Sequence, residues 1–243
     1  MSGVYVSAVI VAGGGGSRMG GPVKKQFLSL GGRPVVAYAI EAFERCPAVS
    51  EIILVLPADG FERARDFCRA DIIEACAFKK VRQIAAGGRT RQESVLNGLR
   101  AADPAADIVM THDAARPFVS AAVIEAAAAA AFETGACAAG VPVRDTIKIC
   151  GADDVIISTP ARETLWAAQT PQAFRRETLT DAYRRAGKPL SAYPDDASMV
   201  EELGVKVRMI MGGYENIKLT APEDVVMAEA LLKSYNKRYY QRL

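Results

Sequence analysis

Histidine and tryptophan each occur only once in this 243-residue chain. A single histidine excludes a metal site built from several imidazoles, and any Ser-His-Asp arrangement would have to use His112. No serine sits in a G-x-S-x-G elbow, so that arrangement lacks its nucleophile. The five cysteines (Cys46, Cys68, Cys76, Cys137 and Cys150) never stand as C-x-x-C, which excludes a zinc ribbon or a thioredoxin-like motif. An odd number of them in a long chain reads as free thiols in the reducing cytoplasm. Long apolar runs are also missing. The best candidate, Ala121–Phe132, is broken by Glu125 and falls short of the roughly 18 residues of a membrane span. The apolar stretch Val4–Ala12 has no basic region before it and runs into glycines, so it reads as a buried strand, not a signal peptide. Charge of one sign is lacking too. Lys plus Arg total 30 and Asp plus Glu total 28, a formal net charge of +2, which excludes a general nucleic-acid binder.

What is present alternates. Val4–Val11, Glu51–Leu56, Val81–Ala85 and Asp107–Thr111 are short apolar runs of the kind buried on both faces of a sheet. Between them lie helical patterns at Pro34–Arg45, Gly60–Ala70 and Ser120–Thr134, and the segment Asp71–Phe78 fits either helix or strand. Thr90-Arg91-Gln92-Glu93 is a capping box opening a helix to about Ala102. Gly135 ends the alanine-rich helix and Ala136–Val143 is strand-like. Asp145–Thr159 reads as a hairpin around Gly-Ala-Asp-Asp with little core of its own, an arm projecting from the body. Helices at Arg175–Ala186 and Asp195–Leu203 follow, then a strand at Val205–Met211. A second capping box, Thr220-Ala221-Pro222-Glu223, opens a final helix. The order implies an α/β fold: a mostly parallel twisted sheet with helices on both faces, in one domain spanning 1–243 with a β-arm at about 137–162.

Ligands of such sheets bind beyond the carboxyl ends of the strands. The first end carries Ala12-Gly13-Gly14-Gly15-Gly16-Ser17-Arg18-Met19. It is neither G-x-G-x-x-G nor a Walker A loop, because Arg18 or Met19 stands where the third glycine belongs and no Gly-Lys-Ser/Thr occurs. A pliant backbone remains, with Arg18, Lys24 and Lys25 beyond it, which suits a polyphosphate. A plain strand-to-helix turn with solvated cations is the alternative. A second end carries Gly87-Gly88 ahead of Arg91 and Ser94. The backbone could read a base edge or ribose and Ser94 offers a rotatable hydroxyl, or the glycines only make a turn and Ser94 lies on a polar helix face. A third carries His112-Asp113-Ala114-Ala115-Arg116-Pro117. There Asp113 could meet a metal–phosphate complex or a substrate hydroxyl, Arg116 could pair with phosphate, and His112 reads as a loop-holding histidine. Gln169-Thr170-Pro171-Gln172 reads as a strand end, Asp195-Asp196 as a solvated helix N-terminus, and Lys218 as a lysine facing away from Ile217 and Leu219.

Taken in order from about Ala8 to Glu229, these motifs resemble the 2-C-methyl-D-erythritol 4-phosphate cytidylyltransferase family of the non-mevalonate isoprenoid pathway. The carriers are Gly13–Met19, Lys25-Gln26, Gly87-Gly88 with Arg91 and Ser94, His112–Pro117, Pro142–Thr146, Gln169–Gln172, Asp196-Ala197-Ser198 and Asn216-Ile217-Lys218. The resemblance implies a Rossmann-like nucleotidyltransferase fold and a homodimer interlocked through the arm. It also implies CTP and a polyol phosphate as substrates, Mg²⁺ or another divalent cation, and pyrophosphate as co-product. Position by position, it implies that Arg18, Lys25 and Lys218 are catalytic and that Ala12, Gly13, Gly14, Gly88 and Ser94 bind nucleotide. It implies that Asp113, Arg116 and Thr170 face the sugar phosphate, with Thr146 and Arg162 reaching it from the partner's arm. Mg²⁺ would be held mainly by the triphosphate, with Asp113 as a protein contact. Lys24 stands where the family often has proline, and Arg89 where some members carry an acid. A ribitol 5-phosphate cytidylyltransferase and a non-catalytic nucleotide-binding protein are the competing readings.

Overall fold

The computed structural model describes residues 3–13 and 24–240. The strands are β1 (Val6–Val11), β2 (Ser29–Leu30), β3 (Arg33–Pro34), β4 (Glu51–Leu56), β5 (Val81–Ala86), β6 (Ile108–Asp113), β7 (Ala136–Pro142), β8 (Ile149–Cys150), β9 (Ile156–Ser158), β10 (Trp166–Arg175) and β11 (Arg208–Met211). The α-helices are α1 (Val35–Arg45), α2 (Phe61–Phe67), α3 (Arg91–Ala101), α4 (Ala121–Thr134), α5 (Arg176–Arg184), α6 (Asp196–Glu202) and α7 (Pro222–Tyr240). Seven strands form one sheet in the order β11-β7-β10-β6-β1-β4-β5. All neighbours are parallel except β10, which runs antiparallel to β6 and β7. Among the described residues, no helix is long and apolar enough to cross a membrane.

The central strands lack polar alternation because both their faces are covered. Ala8 and Ile10 of β1 and Ile52 and Leu54 of β4 pack on one side, with Val36, Ile40 and Phe43 of α1 and Ile124 and Ala127 of α4. Val9, Ile53 and Val55 point to the other side, against Val95 and Leu99 of α3, Leu179 of α5 and Val200 of α6. Each fully buried Ile, Leu or Phe contributes about 1.5–3 kcal/mol. A third cluster seats α7, with Ala228 and Leu232 on Leu30, Val35, Phe118 and Leu219.

The helix punctuation follows the sequence. Thr90 caps α3 by accepting the Glu93 N–H at 3.0 Å, Ser120 caps α4, and Gly135 ends α4 in the left-handed region at φ 88°. The undecided stretch is helical over its first half, α2 running into a π-helical turn over Cys68–Glu74, and a turn then leads to Phe78. At α7 the carboxylate that folds back is Asp224, not Glu223. It accepts the N–H groups of Thr220 and Ala221 and the Thr220 hydroxyl.

The main departure is β10. Gln169-Thr170-Pro171-Gln172 lies in the middle of a ten-residue strand, not at a strand end. Its pairing with β7 breaks between Ala168 and Gln172, so Pro171 falls where no ladder bond is required of it. Residues 137–142 belong to β7 in the sheet, so the excursion proper is 143–165, with β8 and β9 as an exposed two-stranded hairpin. At its root Arg144 stacks on Tyr214, 3.5 Å from the ring centroid, and the Tyr214 hydroxyl donates to the Pro142 carbonyl at 2.9 Å. All five cysteines are free thiols, three of them buried.

Candidate active site

The carboxyl ends of β1, β5 and β6 converge with the 216–220 segment. Backbone bonds stitch them together: Ala114 N–H to Val11 O at 3.0 Å, and Leu219 N–H to Ala115 O at 2.9 Å. The second bond seats Leu219 in the core and turns its neighbour Lys218 toward Asp113. Gln26, almost fully buried, donates to the Ala12 carbonyl and thereby pins the short helical turn Lys25–Phe27 to the end of β1. The result is a cavity whose walls include Ala12, Lys25, Arg91, Asp113 and Lys218.

Asp113 organises this cavity. One carboxylate oxygen accepts Arg91 Nε at 2.9 Å and the other accepts Lys218 Nζ at 2.6 Å. Burial alone would raise its pKa, but the two cations outweigh that and hold the carboxyl far below the ordinary range. Arg91 reaches past Asp113 to Asp196, Nη1 to Oδ2 at 2.9 Å. Asp196 is fully buried and also accepts the hydroxyls of Thr111 at 2.8 Å and Tyr183 at 2.7 Å. The expectation of a solvated Asp195-Asp196 pair is therefore corrected. Asp195 caps α6 through the Ser198 N–H, while Asp196 turns inward because Arg91 and two hydroxyls offer it donors.

Behind Asp113 runs an ordered chain of hydrogen bonds. The Asp113 N–H donates to Thr170 Oγ1 at 3.1 Å, and Thr170 lies 3.0 Å from His112 Nδ1. His112 Nε2 lies 3.1 Å from the Arg116 carbonyl, which can only accept. So Nε2 carries the proton and Nδ1 accepts from Thr170. Burial lowers the His112 pKa to about 4, which keeps it neutral. It holds the loop, as its sequence context suggested.

Thr170 thus stands behind the carboxylate. Arg116 donates through Nη1 to the Asn216 carbonyl at 2.7 Å, and Asn216 Nδ2 donates to the Thr170 carbonyl at 2.9 Å. Among the described residues, Arg91 Nη2 on the cavity wall and Arg116 Nε and Asn216 Oδ1 behind it are buried without a hydrogen-bond partner. Such atoms cost about 1–3 kcal/mol each when nothing meets them.

The two glycine loops meet at Ser94. Its hydroxyl donates to the Thr90 carbonyl at 2.9 Å and accepts the Gly88 N–H at 3.0 Å. A Cβ on Gly13 would lie 2.8 Å from Ser94 Oγ, so the close approach of β1 to α3 requires glycine there. Lys24 and Lys25 diverge. Lys25 lines the cavity, while Lys24 turns outward to the Asp59 carbonyl at 3.2 Å. Arg89 points its guanidinium into solvent. Thr146 and Arg162 lie on the exposed arm, where Arg162 donates to the Arg144 carbonyl at 3.2 Å, and neither lines this cavity. Gly14 and Arg18 lie outside the described residues.

Among the described residues, Asp113 is the one acidic side chain on the cavity wall, and no three His, Cys, Asp or Glu side chains gather as a metal site. That donor set fits a divalent cation whose ligands are mostly nucleotide oxygens, with Asp113 as the protein contact.

A mostly parallel sheet with Gly13, Gly87 and Gly88 and the cations Lys25, Arg91 and Lys218 at its carboxyl edge has the layout of a Rossmann-like nucleotidyltransferase. The chain belongs to the 2-C-methyl-D-erythritol 4-phosphate cytidylyltransferase family, whose sequence profile matches residues 6–234. It is 47% identical over 231 residues to the enzyme of that name from Geobacter metallireducens, covering 94% of this chain and 97% of the relative. It is 48% identical over 230 residues to the one from Syntrophotalea carbinolica, covering 94% and 96%. Among solved structures it resembles the 4-diphosphocytidyl-2C-methyl-D-erythritol synthase of Anaerococcus prevotii, with TM-score 0.81, 32% identity and coverage of 95% and 97%. The Thermus thermophilus cytidylyltransferase superposes with TM-score 0.72 at 31% identity, covering 95% of this chain and all of that one.

Proposed function

We propose that this chain transfers CMP from CTP to 2-C-methyl-D-erythritol 4-phosphate and releases pyrophosphate. The observation that carries this reading is the placement of Lys25 and Lys218 on one cavity wall with a single carboxylate, in a chain matched by the family profile almost end to end. An oxygen of the phosphate monoester attacks the α-phosphorus of CTP, and the bond from that phosphorus to the bridging oxygen of the leaving pyrophosphate breaks. A phosphate monoester has its second pKa near ~6, so the nucleophile arrives ionised and needs no general base. That agrees with a histidine kept neutral by burial and engaged on both nitrogens.

What remains is positioning and charge. Lys25 meets the triphosphate, and Ala12, Gly13 and Gly88 belong to the nucleotide side; the family resemblance adds Arg18 and Gly14 to these roles. Ser94 supports that side by holding Gly88. Lys218 and Asp113 serve the polyol-phosphate side directly, with Thr170 supporting Asp113 from behind and Arg116 bound to the Asn216 carbonyl. Mg²⁺, held by the triphosphate with Asp113 as its protein contact, supplies neutralising charge when bound.

We further propose a cytoplasmic homodimer in which Thr146 and Arg162 of one arm complete the partner's pocket. Support comes from the hairpin, whose Ile149, Val155, Ile156 and Ile157 are all exposed, and from five unpaired thiols that suit a reducing compartment. The deciding experiment is pyrophosphate release from CTP with each polyol phosphate. Release with the methylerythritol phosphate is expected. Release with ribitol 5-phosphate alone would reassign the acceptor, and release with neither would leave a binding protein.

A further inference from the structure

Asp196, the first residue of α6, is fully buried and does not line the cavity. A carboxylate without water is tolerable only when fully paired. Three donors meet this one: Tyr183 OH on Oδ1, and Thr111 Oγ1 and Arg91 Nη1 on Oδ2. Its main chain is fixed as well, because the N–H groups of Asp196 and Ala197 both donate to Gln172 Oε1 at 3.1 Å. Asp196 is therefore an immobile anchor, tied to β6, β10, α3 and α5.

Arg91 is the only one of those donors that also lines the cavity. Charges alternate along Lys218, Asp113, Arg91 and Asp196, and sum to zero. With Nη1 pinned on Asp196, the guanidinium presents Nε alone to Asp113. A free guanidinium prefers to close its fork on both oxygens of a carboxylate. Here it cannot, so the second Asp113 oxygen is left for Lys218 at 2.6 Å.

We propose that Asp196 is a positioning residue for the acceptor side of the pocket. By holding Arg91 it keeps one Asp113 oxygen open to Lys218 and keeps the guanidinium out of the space the polyol phosphate occupies. This rests on the assignment of Asp113 and Lys218 to the polyol phosphate given above. Without the charge on Asp196, Arg91 turns its fork onto Asp113, displaces Lys218 and narrows the acceptor side. Gly88 and Ser94 take no part in these contacts.

The test is steady-state kinetics of Asp196→Asn, an isosteric change, for both substrates, with wild type assayed in parallel. KM for the polyol phosphate should rise about tenfold or more while KM for CTP stays within about twofold, a split that general loosening would not produce. Should the single variant not fold, Asp196→Asn with Arg91→Gln removes both buried charges together. With no guanidinium left to close on Asp113, its KM for the polyol phosphate should not rise beyond that of Arg91→Gln alone, and a further tenfold rise would overturn the inference. Active wild type with both KM values of the variant unchanged, or raised together, overturns the inference alone. Inactive wild type overturns the functional reading and the inference with it.

Discussion

The pocket and the arm of this chain are built on opposite plans. In the pocket, hydrogen bonds join residues remote in sequence. Arg91 meets Asp196, Asp113 meets Thr170, and Arg116 meets Asn216. In the arm, contacts are local, such as Lys148 with Thr159 and Thr164 with Ala161, while apolar side chains face outward, Ile157 at 70% exposure and Val155 at 61%. The pocket is held by its own chain down to the orientation of a single imidazole. The arm is an exposed surface, and the residues expected to bind substrate from it, Thr146 and Arg162, are absent from the cavity wall among the described residues. The contrast teaches that rigidity comes from crossing the fold, and that a segment with few such crossings leaves its apolar side chains facing solvent.

Acid should break the pocket side first. His112 is neutral in the fold down to about pH 4 but binds a proton near 6.5 when unfolded. Between those values the unfolded state holds more protons, so stability falls as pH drops through that window, by roughly 3 kcal/mol in total. Denaturant titrations at pH 7 and pH 4 measure this. The single histidine gives one imidazole resonance in an NMR titration, and it should stay neutral until pH nears 4. A resonance titrating near 6.5 would contradict the buried assignment.

Next, Lys25→Ala should lower kcat on the order of 10²-fold with little change in melting temperature, because the side chain lines the cavity and the pinning contact belongs to Gln26. Near-normal turnover of the folded variant would remove Lys25 from its role. On the arm, Ile157→Asp should weaken self-association by about tenfold or more, seen by analytical ultracentrifugation, and leave CTP binding intact. Unchanged association would mean that this face does not meet a second copy. The smallest effect is expected at Gly13→Ala. Its Cβ, 2.8 Å from Ser94 Oγ, should cost about 1 kcal/mol, and Ser94→Ala in the same chain should make the pair less than additive.

Much of this was legible in the sequence. The parallel core, the capped helices α3 and α4, the hairpin and Lys218 facing away from its apolar neighbours follow from local patterns of apolarity and capping. β10 was not legible, because Ala167-Ala168-Gln169-Thr170-Pro171-Gln172 has little β-branched character and a proline, and its strand pairing is set by β6 and β7. Asp196 was not legible either. Next to Asp195 at a helix start it looks solvated, and only the fold brings Arg91, 105 residues away, to its side. Lys24 and Lys25 are equivalent by composition, and the tether of Lys24 to Asp59 separates them.

We propose that two chains build each active site, one giving the pocket and the other the arm. Mixing Lys25→Ala subunits with Arg162→Ala subunits after reversible dissociation tests it directly. Each variant alone should be nearly inactive. Random pairing should restore about a quarter of wild-type pyrophosphate release, because half of the dimers then carry one intact site. A mixture no more active than the two variants apart would contradict it.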